Sequence, residues 1–307
     1  MARFSPDELA LVLGRGLLSF PVTAFDREGG LDLTRYQDHC AWLLERPIAG
    51  LFAAGGTGEF FSLTLEEVAA VVQSAVEVTD GRVPVIAGCG YGTAMAVALA
   101  RAAESAGADG VLLLPPYLVN SSEAGLEAHV AAVCAATRLG VIMYNRDNAI
   151  LGPEALSRLA ARWPNFIGFK DGVGDLELMT RIVSALGDRL VYIGGLPTAE
   201  TFATPYLKMG VSTYSSAIFN FAPDWALLFY DAVRRDDQAF VALALRNFVL
   251  PWIEIRNRGR GYAVSMIKAG LEVVGRSCGG VRPPLLAVAK ADFEELSTLI
   301  RRTNGDV

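Results

Sequence analysis

Histidine is scarce in this chain, cysteine is scattered and positive charge is in deficit, and each shortage narrows the chemistry. Only two histidines occur in 307 residues, His39 and His129, each in a helix-like stretch. They cannot build a histidine-rich metal site, and a Ser–His–Asp triad would have to use one of them, so satisfied core or surface histidines are the simpler reading. The four cysteines, Cys40, Cys89, Cys134 and Cys278, form no C-x-x-C pair, which argues for free buried thiols and against zinc. No apolar run approaches the roughly 18–20 residues of a membrane span. The opening stretch, residues 1–8, is too polar for a signal peptide and reads as a capped helix start with Ser5, Pro6 and Glu8. The expectation is a cytoplasmic protein with no membrane partner. A net charge of −6 argues against nucleic acid as a partner. An anionic small molecule remains compatible, because local N–H groups and a single arginine decide that matter.

What is present is apolar: 52% of residues are hydrophobic and only 20% are charged, so much of the chain must be buried. Eight short apolar runs stand at 17–25, 50–55, 84–89, 110–115, 140–145, 166–171, 190–195 and 210–216. Helical patterns lie between them, with starts at Thr64-Leu65-Glu66-Glu67, Gly152-Pro153-Glu154 and Leu196-Pro197-Thr198. Strands alternating with helices predict a parallel sheet, and eight repeats predict a closed (β/α)8 TIM barrel. An open doubly wound sheet is the alternative, but no G-x-G-x-x-G follows the first strand, and Gly-Cys-Gly-Tyr-Gly at 88–92 has the wrong spacing. The barrel with its N-terminal helix should occupy residues 1–222. Residues 223–307 read as a helical layer packed on the barrel, with helices near 223–235, 236–257, 261–275 and 285–303.

Three segments carry chemistry. Phe166-Ile167-Gly168-Phe169-Lys170-Asp171-Gly172 ends an apolar strand in a lysine. Burial there disfavours the ammonium and leaves a nucleophilic amine, the requirement for a Schiff base; the plain alternative is a lysine that snorkels to water. Gly50-Leu51-Phe52-Ala53-Ala54-Gly55-Gly56-Thr57-Gly58-Glu59-Phe60 runs a strand into a glycine turn whose N–H groups can meet an anion, or which is an ordinary turn. Gly140-Val141-Ile142-Met143-Tyr144-Asn145-Arg146-Asp147-Asn148 ends a strand in a phenol suited to proton transfer, or in a core-edge tyrosine. Alternation puts Gly168 with Lys170, and Ile142 with Tyr144, on single strand faces. If both faces point inward, amine and phenol converge at the C-terminal mouth of the barrel.

Together these segments resemble the dihydrodipicolinate synthase and N-acetylneuraminate lyase superfamily of Schiff-base barrel enzymes, over essentially the whole chain. Within it, residues 55–63 and 144–148 look most like the 5-dehydro-4-deoxyglucarate dehydratases. The resemblance implies a lyase without metal or organic cofactor, acting on a small-molecule 2-keto sugar acid. It also implies a homo-oligomer, tetrameric in the family. Lys170 would attack the ketone, Tyr144 would move protons, and Gly56, Thr57 and Gly58 would hold the adjacent carboxylate. Tyr117 matches a family tyrosine of the proton relay, sometimes acting across a subunit interface, with a packing role as the alternative. Glu59 would orient the turn by accepting backbone N–H bonds. Gly195, Ser215 and Asn220 would line the distal pocket, and Arg146 would hold a second carboxylate or make a surface ion pair. The turn has Gly56 where synthases place a second hydroxyl, and no proline follows Tyr144-Asn145, which weakens the synthase reading. A 2-keto acid aldolase shares the enamine intermediate and stays open. A non-catalytic sugar-acid binding protein is a third reading, opposed by the pairing of Lys170 with Tyr144.

Overall fold

The structure, a computed structural model, describes residues 2–305. Eight parallel strands close on themselves in sequence order: β1 (Leu18–Ser19), β2 (Gly50–Ala53), β3 (Val85–Cys89), β4 (Gly110–Leu113), β5 (Gly140–Asn145), β6 (Phe166–Asp171), β7 (Val191–Gly194) and β8 (Thr213–Ser216). Helices α2 (Leu33–Leu43), α3 (Leu65–Thr79), α4 (Thr93–Ala106), α5 (Glu123–Ala136), α6 (Pro153–Arg162), α7 (Leu176–Leu186) and α8 (Ala203–Lys208) connect them, so the expected (β/α)8 barrel is the observed one.

Before the barrel comes α1 (Pro6–Leu13), begun by the capping box of Ser5 and Glu8. Its fully buried Leu9 and Leu13 plug the N-terminal end of the barrel. The starts of β2, β4 and β5 are glycines for that reason. A Cβ on Gly50 would lie 2.5 Å from Leu13, and one on Gly110 or Gly140 would lie 2.8 or 2.9 Å from Leu9.

The run at 17–25 yields only two residues of ladder. Pro21 has no N–H to give. On either side of it, the Asn220 side chain accepts the Val22 N–H at 3.1 Å and donates to the Phe20 carbonyl at 3.0 Å, replacing a strand partner. The helix expected directly after Pro197 also starts late: residues Ala199–Phe202 wind as a tight 3₁₀ turn before α8. Glu200 is turned inward there and accepts the Ser216 hydroxyl at 2.6 Å.

After β8 the chain forms α9 (Pro223–Arg234), α10 (Gln238–Ala244), α11 (Leu250–Arg256), α12 (Tyr262–Val273) and α13 (Lys290–Gly305). α10 and α11 join through a π turn at Leu245–Val249 into one helical stretch, Gln238–Arg256. Pro251 lacks an N–H and would crowd the carbonyl four residues back in a regular helix, and the π turn relieves that conflict. Contrary to the expectation that no segment approaches a membrane span, this stretch is long and apolar enough to cross one by length and composition. It nevertheless contains Arg246, Glu254 and Arg256, and it buries Phe248, Trp252 and Ile255. Trp252 stacks on Phe221 at 5.0 Å between ring centroids, which fixes the helical layer to the barrel, and within the layer Phe248 meets Trp225 of α9 edge-on at 4.8 Å.

Candidate active site

Strand pairing builds the site from the backbone upward. In the β5–β6 register Tyr144 stands beside Lys170, and Ile142 beside Gly168, so the Lys170 and Tyr144 side chains leave neighbouring strands on the same side. Both are buried, with only 4% of Lys170 and 6% of Tyr144 exposed. The Lys170 amine lies 3.7 Å from the centroid of the Tyr144 ring and 5.2 Å from that of Phe20. The Gly195 carbonyl, just past β7, accepts from both: the Tyr144 hydroxyl at 2.6 Å and Lys170 Nζ at 3.3 Å. Residue 195 has to be glycine for this approach, because a Cβ there would sit 2.6 Å from the Lys170 amine.

Charge and burial tune the pair. Burial holds the Lys170 amine below the usual lysine range, although the phenol beside it pulls the other way and the Arg146 charge adds to the lowering. Burial alone would push the Tyr144 phenol up. The positive charges of Lys170 and Arg146 outweigh that and hold it below the usual tyrosine range. Arg146 Nη1 donates to the phenol oxygen at 3.1 Å, while its Nε reaches Asp147 at 3.3 Å. Thus Arg146, expected to hold a second carboxylate or to make a surface ion pair, pairs with Asp147 and lies against the phenol at the cavity wall. Next to Lys170, Asp171 faces away and shapes the strand exit, accepting from the N–H groups of Val173 and Gly174 and from the Tyr206 hydroxyl.

These groups open into a cavity of about 260 Å³ at the C-terminal mouth of the barrel, where TIM barrels place their sites. Gly56, Thr57, Tyr117, Tyr144, Arg146, Lys170, Gly195 and Ser215 all line it. Among the described residues, the Gly56 and Thr57 N–H groups have no backbone or side-chain acceptor within the protein, which leaves them free for an anion. Gly58 lies just behind, its carbonyl accepting the Thr23 hydroxyl at 2.6 Å. Glu59 accepts the backbone N–H of Arg282 at 3.0 Å. Tyr117 packs edge-on against Phe61 at 4.8 Å, and burial pushes its phenol up to about 12. Ser215 Oγ donates to the Gly194 carbonyl at 3.3 Å.

Asn220 is not brought to the cavity. It is fully buried behind β1, where its amide also meets His39 Nε2 at 3.0 Å and the Ala217 carbonyl at 3.3 Å. Every polar atom of its side chain is engaged in joining β1 to the segment after β8, so none is left for a substrate. Sequence reasoning missed Phe20, Phe61 and the face of α12 that carries Ala263, Val264 and Ile267, all of which line the cavity. Apolar residues at helical spacing give no sign of which cavity they will cover. One signal was available: Lys268, a charge inside the otherwise apolar run of α12.

The model of the dihydrodipicolinate synthetase family matches residues 14–303. The chain belongs to the dihydrodipicolinate synthetase family. Curated relatives in the family include a probable 5-dehydro-4-deoxyglucarate dehydratase of Methylobacterium radiotolerans, 63% identical, covering 98% of this chain and 99% of the relative. Another, of Ralstonia nicotianae, bears the same description and is 61% identical, covering 98% and 97%. Among solved members, dihydrodipicolinate synthase from Bacillus clausii superposes with a TM-score of 0.88 at 27% identity, covering 96% of this chain and 99% of that one. A prophage protein of the family from E. coli K12, crystallised in complex with pyruvate, gives 0.83 at 27% identity, with coverage of 94% and 98%.

Proposed function

We propose that this chain is a decarboxylating dehydratase that converts 5-dehydro-4-deoxyglucarate to 2,5-dioxopentanoate, CO2 and water through a Schiff base on Lys170. The observation that carries the mechanism is the buried Lys170 amine, lying over the Tyr144 ring and sharing the Gly195 carbonyl with its hydroxyl. The choice of substrate is supported by relatives of that description at about 60% identity over nearly their whole length.

In this reading the carboxylate beside the ketone rests on the N–H groups of Gly56 and Thr57 and on the Thr57 hydroxyl. Lys170 attacks the ketone carbon, and Tyr144 delivers and removes the protons that turn the carbinolamine into an iminium. The iminium acidifies the adjacent CH2. Loss of one proton gives an enamine, whose electrons expel the β-hydroxyl as water and leave a double bond conjugated to the iminium. That conjugated system then accepts the electron pair of the far carboxylate as CO2 departs. The resulting dienamine takes one proton on the carbon beside the imine carbon, which restores the iminium, and its enol end takes a second on the next carbon as its hydroxyl gives up a proton to become the aldehyde. Water then hydrolyses the iminium and releases the product from Lys170. One hydroxyl thus leaves as water, the far carboxylate leaves as CO2, the second hydroxyl carbon becomes the aldehyde and the ketone is regenerated, with no external oxidant or reductant.

Arg146 tunes the phenol in this scheme, and Ser215 and Tyr117 meet the hydroxyl-bearing part of the substrate. The proposal extends to a homo-oligomer, tetrameric as in the resembling family; Leu118 and Val119, exposed beside Tyr117, suit a subunit contact at the mouth of the site. The purified protein is expected to convert 5-dehydro-4-deoxyglucarate with stoichiometric CO2 release. Pyruvate with aspartate semialdehyde should give no cyclic product, and N-acetylneuraminate should not be cleaved. An untouched keto-diacid alongside fast turnover in either of the other assays would overturn the dehydratase assignment.

A further inference from the structure

Two lysines are buried among the described residues, Lys170 and Lys268, and the scheme above leaves the second unused. Lys268 lies on α12, directly after Ile267 of the cavity lining. Its amine stands 2.7 Å from Glu59 Oε1, with the two side chains 4% and 0% exposed, and it also donates to the Gly280 carbonyl at 2.6 Å. Glu59 closes the Gly56–Gly58 turn. Its other oxygen accepts the Arg282 N–H at 3.0 Å. The Arg282 guanidinium in turn grips Glu67, at 2.7 and 2.6 Å, in the first turn of α3.

The turn needs such a hold. Ala54 and Glu59 flank it at φ +49° and +56°, in the left-handed region that residues with a Cβ adopt only when their surroundings impose it. A buried ion pair gives little net stability over apolar packing of the same volume, but it tolerates little change in geometry and so can set a register. We infer that Lys268 and Glu59 are positioning residues: their pair sets the carboxylate-binding turn at a fixed distance from α12, so that floor and roof of the cavity hold one register around the keto acid.

This inference rests on the Schiff-base reading, and its test separates the two. Borohydride trapping of pyruvate, the smallest 2-keto acid, is titrated for half-saturation in the full-length protein, and steady-state turnover is measured with 5-dehydro-4-deoxyglucarate. Lys268→Met, which strands the Glu59 carboxylate, should lower the melting temperature by on the order of 10 °C and raise the half-saturation concentration. In Glu59→Gln/Lys268→Met neither position carries a charge, and the melting temperature should return near that of the parent. Half-saturation and KM should nevertheless stay raised by on the order of 10-fold or more, with kcat changed less. Recovery of half-saturation together with the melting temperature would make the pair purely structural and overturn the inference, as would a double variant that does not fold. If the unaltered protein is not trapped at all, the Schiff-base reading fails instead.

Discussion

Burial of the Lys170 amine and the charge of Arg146 both disfavour the ammonium, while the same Arg146 stabilises the phenolate of Tyr144. Amine and phenol share one acceptor, and the charge of each bears on the proton affinity of the other. Removing the Arg146 charge raises the proton affinity of both, so the deprotonated pair needed for attack becomes available only at higher pH. In Arg146→Met the acidic limb of the kcat/KM profile should therefore move upward in pH. An unmoved limb with a raised KM would make Arg146 a substrate contact only. Tyr144→Phe should lower turnover by on the order of 10² to 10⁴ with little change in affinity, since the lost hydroxyl moves protons; near-normal turnover with a raised KM would contradict that role. Lys170 and Tyr144 were legible because each ends an apolar run, and strand alternation fixes which way each points. The place of Arg146 was not: its sequence position just past β5 allows either the phenol or the solvent, and only the turn at Arg146–Ala149 decides.

At the scale of elements, the join between β1 and the rest of the barrel depends on side chains. His39 of α2 and Asn220 after β8 form a buried link to the Phe20–Val22 segment. Burial holds His39 neutral, with its pKa lowered to about 4 from 6.5. The unfolded chain therefore binds this proton first. The stability contributed is fully present above about pH 6.5 and is lost as pH falls towards 4, amounting to about 3 kcal/mol at 1.36 kcal/mol per unit. His39→Gln, which can keep a hydrogen bond to Asn220, should flatten the fall in unfolding free energy between pH 6.5 and 4. A slope as steep as that of the parent protein would place the acid sensitivity elsewhere. The pattern of eight runs and intervening helices was readable because each run is a short buried strand and several helices open on a proline or a capping box. The shortness of β1 was not, since it follows from an amide nearly two hundred residues away that takes over the backbone groups around Pro21.

Across the whole molecule, α1 plugs the N-terminal end of the barrel and α12 covers part of its mouth. The Lys170 amine is thus held in a cavity of about 260 Å³ with apolar walls on several sides. Enclosure of this kind disfavours the ammonium form of the lysine. That a helical layer would follow the barrel was legible from the chain left over after the eighth strand. Its contribution to the cavity was not, because Ala263, Val264 and Ile267 look like any other core face. The most direct test of a Schiff-base enzyme on this scaffold is to incubate the protein with pyruvate, reduce with borohydride and map the adduct by mass spectrometry. A single reduced adduct on Lys170 is the expected result. No adduct, or an adduct on Lys208, Lys268 or Lys290 with Lys170 unmodified, would contradict it.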